Sequence, residues 1–212
     1  MQNKLATFLL LSAVFLLVFV ALVVLRSSDD NSLFSWAWVF ARIDASRVYL
    51  VLTLGLILSF ALSRTAIPAG YQLPFLALLS FAVTVPFWGQ PEIIVDASRY
   101  FTQAKHLEVY GIGSFLKEWG RDIPAWTDMP LIPFLYGIIF KLFGEHRLAV
   151  QVFTTALFSL TTVLTCLIGE RLWNRDTGFS AGLLLLGMPY LLTQAPLMLV
   201  DVPTMFFLAL SL

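Results

Sequence analysis

Residues 5–25 read LATFLLLSAVFLLVFVALVVL, an apolar run without one charged side chain. Its length matches the ~20 residues that an α-helix needs to cross the ~30 Å hydrocarbon core of a bilayer. Working outward, the rest of the chain has the same character. Of its 212 residues 59% are hydrophobic and only 12% charged, and the mean hydropathy is +0.86. A globular chain carries about 25% charged residues, so this one has more apolar surface than its own interior could bury, and its solvent is a bilayer. The 13 basic and 13 acidic residues cancel with no polybasic block, which argues against nucleic acid as a partner. The lone Cys166, inside an apolar run, excludes a disulfide framework and a Cys-type zinc site.

The fold class that follows is all-α, a polytopic transmembrane bundle of about 5–6 spans plus a truncated one, with amphipathic juxtamembrane helices in a large extracytoplasmic loop. Lys4 alone is a thin positive region and no small-residue cleavage site follows, so residues 5–25 read as an uncleaved helix with its N-terminus inside rather than as a signal segment. After Arg26, Asp29 and Asp30, an amphipathic patch around Trp36 and Trp38 has the composition of an interfacial element. A second span is expected over Val48–Leu62, with Arg64 in an inside turn. A third runs over Tyr71–Trp88, interrupted by Pro74 and Pro86.

From Gln90 to Pro130 the chain changes. This stretch holds Glu92, Asp96, Glu108, Glu118, Asp122 and Asp128 with Arg99, Lys105, Lys117 and Arg121, which is 10 of the 26 charges. Ala97, Tyr100, Phe101, Ala104 and Leu107 recur at helical spacing while Asp96, Arg99, Gln103 and His106 populate the other side, so Asp96–Val109 is expected to be an amphipathic helix lying on the membrane. Gly111 and Gly113 should end it, Ser114 cap a second short helix, and Gly120 stop that one. The organisation is therefore 1–89 N-terminal transmembrane helices, 90–130 extracytoplasmic loop, and 131–212 further transmembrane helices.

Apolar stretches follow at Leu131–Phe143, Leu148–Ile168 and Gly178–Leu199, the last broken by Pro189 and Pro196. The run after Asp201 is too short to cross and reads as cut in mid-helix. Three crossings between Pro130 and Asp201 would separate Asp96 from Asp201, so one stretch should not cross. Leu131–Phe143 is the shortest candidate for a partial or re-entrant element, and crossing by all three is the alternative. The cluster Glu170, Arg171, Arg175 and Asp176 would then face inside.

Within the polar island, Asp96 follows an apolar run at a membrane exit, where a desolvated carboxylate is costly unless used or paired. Helix capping and catalysis both account for it. Arg99, one turn on, could pair with Asp96, hold a phosphate or face solvent. Asp201 is the only charge after Asp176 and has the same two readings, cap or site. Asp128 fits a turn residue or a ligand. His106 and His146 lack partners at zinc spacing, and no nucleophile-elbow, phosphate-loop or dinucleotide glycine pattern occurs.

The strings Asp96-Ala97-Ser98-Arg99-Tyr100, Trp126-Thr127-Asp128-Met129-Pro130 and YGIIFKLFG (136–144) in that order resemble the first extracytoplasmic loop of the polytopic GT-C glycosyltransferases. The likeness is greatest to the protein O-mannosyltransferase and lipid A aminoarabinose transferase branch, whose loops carry D-E-x-R-Y, K-P-P and a helix ending in L-F-G. It continues through GERLWNRDTG (169–178) and Leu199-Val200-Asp201-Val202-Pro203, so it covers about Ile93 to the C-terminus. The resemblance implies a transferase that takes a sugar from a polyprenyl- or dolichyl-phosphate donor and passes it to a protein, lipid or glycan, on the extracytoplasmic side of the plasma (inner) membrane. It makes Asp96 the group that activates the acceptor, places Arg99, Tyr100, Asp128 and Asp201 in the donor site, and makes these residues part of a catalytic unit that continues past Leu212, so that alone they would be inactive. Ala97 stands where many relatives have Glu, and Met129 where the aminoarabinose branch has a phosphate-binding Lys. Arg99 or Arg121 is then the expected phosphate cation, and a divalent ion between Asp96 and Asp201 the alternative source of charge. A transporter or assembly subunit, in which the acids only cap helices or line a pathway, is the competing reading; it expects Asp96 and Asp201 on opposite sides.

Overall fold

The computed structural model describes residues 4–27, 45–64, 67–89, 92, 95–125 and 128–212. The expectations placed on Asp29, Asp30, Trp36, Trp38, Gln90, Trp126 and Thr127 lie outside the described residues. What is described is an all-α polytopic helical bundle. Phe8–Leu25, Ala69–Gly89 and Arg147–Leu172 are long and apolar enough to cross a membrane.

The chain divides into two units, the first holding residues 1–66 with 187–189 and the second 67–186 with 190–212. In the first, helix α1 (Lys4–Ser27) and helix α2 (Ala45–Arg64) run antiparallel, since Phe8 stacks on Phe60 at 4.2 Å and Phe19 meets Tyr49 at 6.5 Å. Most of α1 is exposed and apolar, including Leu9, Leu10, Leu17 and Leu25. In water such a surface would drive aggregation, whereas lipid tails solvate it without cost.

The second unit is built on an antiparallel pair, α3 (Gln72–Thr84) and α6 (Arg147–Leu172). The span expected over Tyr71–Trp88 falls within Ala69–Gly89, which is long and apolar enough to cross a membrane; α3 is flanked there by 3₁₀ turns at Ala69–Tyr71 and Val85–Gly89, the second holding Pro86, which lacks an N–H with which to continue an α-helix. A seam of hydroxyls joins the pair. Ser159 donates to the Ala77 carbonyl at 2.5 Å, and Thr162 Oγ1 lies 3.1 Å from Ser80 Oγ. Trp88 Nε1 donates to Thr155 at 3.1 Å, and Gln151 Nε2 to the Trp88 carbonyl at 2.8 Å. Lipid offers hydroxyls no partners, so such bonds between helices are how buried polar groups are satisfied in a membrane protein.

Helix α6 turns into α7 (Arg175–Leu186), whose start is capped by Asn174 Oδ1 accepting from the Thr177 N–H at 3.0 Å. Arg175 Nε donates to Gln72 Oε1 at 2.9 Å, tying this turn to the start of α3. The Arg171–Arg175 region thus lies at the opposite end of α6 from Gln151. The stretch Gly178–Leu199 is broken at Pro189 and Pro196, as expected. Pro189 opens the short α8 (Pro189–Gln194), and residues 195–200 are irregular around Pro196 before α9 (Asp201–Leu210) begins.

Helix α4 (Val95–Glu118) is two helices across a kink at Gly111, whose φ of 84° and ψ of 170° only glycine adopts without strain. The chain then turns at Gly120 and reaches α5 (Leu131–Phe143). Helix α5 packs along α4 so closely that a Cβ on Gly137 would stand 2.7 Å from Leu107 Cβ and 2.9 Å from the Ala104 carbonyl. With 13 residues it is shorter than the ~20 that a full crossing needs, and it lies beside α4.

Candidate functional site

The first half of α4 presents Ala97, Tyr100, Ala104 and Leu107 to the interior, all buried, as their spacing predicts. Ala97 and Tyr100 share a core cluster with Ile132, Tyr136 and Phe140 of α5, Val150 of α6, and Leu197, Met198 and Leu199. Tyr136 fixes the last of these segments by donating its hydroxyl to the Leu199 carbonyl at 2.5 Å. Asp201, two residues beyond Leu199, therefore lies at the same end of the bundle as the first turn of α4, not at the opposite one.

Neither acid caps its helix as one reading expected. Val95 precedes Asp96 in the first turn of α4, and Asp201 follows Val200 with no side-chain cap bond. Both still sit where the helix N-terminus favours negative charge. Asp96 is 54% exposed and its Oδ1 is 3.3 Å from Arg99 Nη2. Asp128, only 9% exposed, closes on the same guanidinium from the segment before α5: Oδ2 lies 3.0 Å from Arg99 Nε, and Oδ1 accepts from Nη2 at 3.2 Å. The Nε contact is short but lacks a hydrogen bond's alignment. Arg99 Nη2 also donates to the Tyr100 hydroxyl at 3.0 Å, with Arg99 Cζ 5.0 Å from that ring's centre.

The electrostatics follow from this packing. Burial works against the Arg99 charge, but the Tyr100 bond and the Asp128 and Asp96 carboxylates outweigh it and hold its pKa above the ordinary value. Burial pushes the Tyr100 hydroxyl up, against the opposing bond from Arg99. Tyr100 thus stays a neutral partner for the guanidinium.

The structure brings together Asp96, Arg99, Tyr100 and Asp128. Arg121 does not join them; it is exposed in the turn between Trp119 and Ile123 and forms no ion pair among the described residues. Among the described residues no three His, Cys, Asp or Glu side chains gather to hold a metal, and Asp96 Oδ1 is already engaged by Arg99. This donor set does not fit a divalent ion.

Two features escape the sequence pattern. Gln103, expected on the polar face, is 2% exposed: its Nε2 donates to the Pro124 carbonyl at 2.8 Å and to Asp128 Oδ2 at 3.4 Å. Its position four residues after Arg99 is the one signal the sequence offers. The second feature is a cavity of about 220 Å³ lined by Glu92, Phe101, Phe140, Glu145, Arg147, Val150 and Met198. Arg147 Nε lies 3.4 Å from Glu92, and Lys105 Nζ is 2.6 Å from Glu145. Lys105 pushes the Glu145 carboxyl below its ordinary pKa, whereas burial first and the neighbouring Glu145 second push Glu108 up. The apolar wall with charged groups beside it suits an amphiphile, and the volume is below the ~300–1,000 Å³ of drug-sized pockets.

A family model described as dolichyl-phosphate-mannose-protein mannosyltransferase matches residues 124–212. That match supports a mannosyltransferase-like, integral-membrane family for this part of the chain. It includes Asp128 and Asp201 and stops short of Asp96, Arg99, Tyr100 and Arg121. No curated protein and no solved structure matches the chain.

Proposed function

We propose that this chain contributes the acceptor-activating and donor-binding corner of a membrane glycosyltransferase. In this reading it uses a polyprenyl- or dolichyl-phosphate-linked sugar and works on the extracytoplasmic side of the plasma membrane. One observation carries the reading. Asp128, inside the family match, is ion-paired at 3.0 Å with Arg99, which lies outside it, so the helix bearing Asp96 is physically part of the matched unit.

The chemistry needs three things at a membrane surface: a base for the acceptor, a cation for the leaving phosphate and a slot for an amphiphile. Asp96, half exposed beside Arg99, is the base. The acceptor oxygen or nitrogen attacks the anomeric carbon, its proton passes to Asp96, and the bond from that carbon to the phosphate oxygen breaks in one inverting displacement. Arg99 receives the developing phosphate charge. Its contacts among the described residues run through Nε and Nη2, which leaves Nη1 for an incoming oxygen. Asp128 and Tyr100 are positioning residues that hold the guanidinium, and Asp201 adds a second acid at the same end. The cavity beside Phe101 and Phe140 offers the donor an apolar wall.

The test is Asp96→Asn in the full-length protein, reconstituted and supplied with dolichyl-phosphate mannose. General-base catalysis is typically worth about 10²–10⁴ in rate, so kcat should fall by that factor with the donor still bound. Equal transfer by variant and parent would remove Asp96 from the reaction. Labelling of Asp96→Cys by a bilayer-impermeant reagent, in a Cys166→Ser background, tests the side: exclusive reaction from the cytoplasm would overturn it.

A further inference from the structure

Gln103 is the buried polar residue of α4 that the reaction outlined above does not use. Its amide sits one turn after Arg99 and faces two oxygens, the Pro124 carbonyl at 2.8 Å and Asp128 Oδ2 at 3.4 Å. Those acceptors fix the amide's orientation, since turning it over would set its own oxygen against both of them. The orientation has a cost. Gln103 Oε1 is buried with no hydrogen-bond partner, a condition that typically costs about 1–3 kcal/mol. A leucine would fill this place without that penalty, so the amide is explained by what its N–H groups hold.

What they hold is the approach to α5. The Asp128 N–H donates to the Ala125 carbonyl at 2.8 Å, which ties Asp128 back to the residue after Pro124. Ile123, just before Pro124, is 1% exposed against Leu107 and Phe115 of α4. Gln103 thus holds the approach to α5 at two points, Pro124 and Asp128. Asp128 Oδ2 in turn is the atom beside Arg99 Nε.

We propose that Gln103 is a positioning residue for the transfer reaction, setting Asp128 in register against Arg99 and so aiming the guanidinium at the phosphate. The role in transfer rests on the transferase reading above; the hold on the segment does not.

Two measurements on the full-length protein in membranes separate these. In a Cys166→Ser background, Ile123→Cys reports opening of the segment through its rate of maleimide labelling. Adding Gln103→Leu should raise that rate about tenfold, the factor corresponding to about 1.4 kcal/mol for a buried hydrogen bond. An unchanged rate overturns the proposal. The second measurement is turnover of dolichyl-phosphate mannose by Gln103→Leu and Gln103→Glu. Both should lower kcat while KM changes little. Gln103→Glu should regain kcat as pH falls, because its protonated carboxyl can again donate to Pro124 or Asp128, and Gln103→Leu should not. A fall in kcat equal in both variants and independent of pH would mean a packing role and overturn the proposal. If the parent itself turns over no donor, the transferase reading and the catalytic role fall together, and the labelling contrast alone decides whether Gln103 holds Asp128.

Discussion

The contact between α4 and α5 can be probed with one methyl group. In Gly137→Ala the new Cβ would stand 2.7 Å from Leu107 Cβ, about 0.7 Å inside the 3.4 Å at which ordinary contact begins, and 2.9 Å from the Ala104 carbonyl oxygen. Leu107 and Ala104 are both fully buried, so neither has free space to move into. The carbonyl belongs to a helix backbone, which yields only if α4 and α5 separate as bodies. Overpacking of this kind costs about 1–3 kcal/mol, or roughly 5- to 150-fold in the equilibrium between closed and separated helices. The propensity gain of about 1 kcal/mol from replacing glycine inside a helix offsets part of it. Gly113→Ala is the control, with nothing within 4 Å of its added carbon. Denaturant titration of both variants in mild detergent, followed by tryptophan fluorescence, should place Gly137→Ala below the parent and Gly113→Ala at or above it. Equal midpoints for the two variants would refute the close approach, and with it the placement of α5 beside the amphipathic helix.

Other perturbations address single links. Tyr136→Phe removes the donor to the Leu199 carbonyl and leaves that oxygen buried, so stability should fall by about 1–3 kcal/mol and a cysteine at Asp201 should label faster; parent-like labelling would disconnect Tyr136 from that segment. A double-mutant cycle of Ser80→Ala with Ser159→Ala should return a coupling near 0.6 kcal/mol, the average for hydroxyl bonds between membrane helices, and zero coupling would deny the seam. The Glu108–Glu145 pair predicts opposed pH effects. The depressed pKa of Glu145 contributes stability present above its unfolded value, ~4.3, and lost as pH falls below it; the raised pKa of Glu108 contributes stability present below ~4.3 and lost as pH rises through the folded value. Glu108→Gln removes that titration, so it should abolish the loss on the rising side, and a melting-temperature profile unchanged by it would deny Glu108 a raised pKa.

Much of the second unit was legible because helical spacing and glycine placement are local signals. Ala97, Tyr100, Ala104 and Leu107 announce the buried stripe of α4, and Gly111 and Gly120 announce its break and its end. The pairing of Asp96 with Arg99 is likewise a matter of one helical turn. Asp128 could be suspected but not placed, because its contact with Arg99, 29 residues away in sequence, depends on tertiary packing around Ile123 and Gln103. Gln103 was misassigned to the solvent side for the same reason: a period of 3.6 tells which residues share a face but not that a loop will cover it. The stretch Gly178–Leu199 read as a broken span from its prolines, yet where the helix stops and how residues 195–200 reach back to Tyr136 depend on a hydroxyl 63 residues away.

The hydroxyl seam also bears on how the chain enters a membrane. Helix α3 is synthesised well before α6 and must wait in lipid without the partners it will later hold. Its polar groups are provided for in the interval, since Ser80 Oγ reaches the Leu76 carbonyl at 2.6 Å and Thr84 Oγ1 the Ser80 carbonyl at 2.7 Å, within the same helix. Thr161 and Thr165 of α6 are bonded to their own helix in the same manner. These four hydroxyls can therefore leave the translocation machinery already satisfied. Ser159, which donates to the Ala77 carbonyl, gains its partner when the helices pair, and that pairing selects the register of α3 on α6.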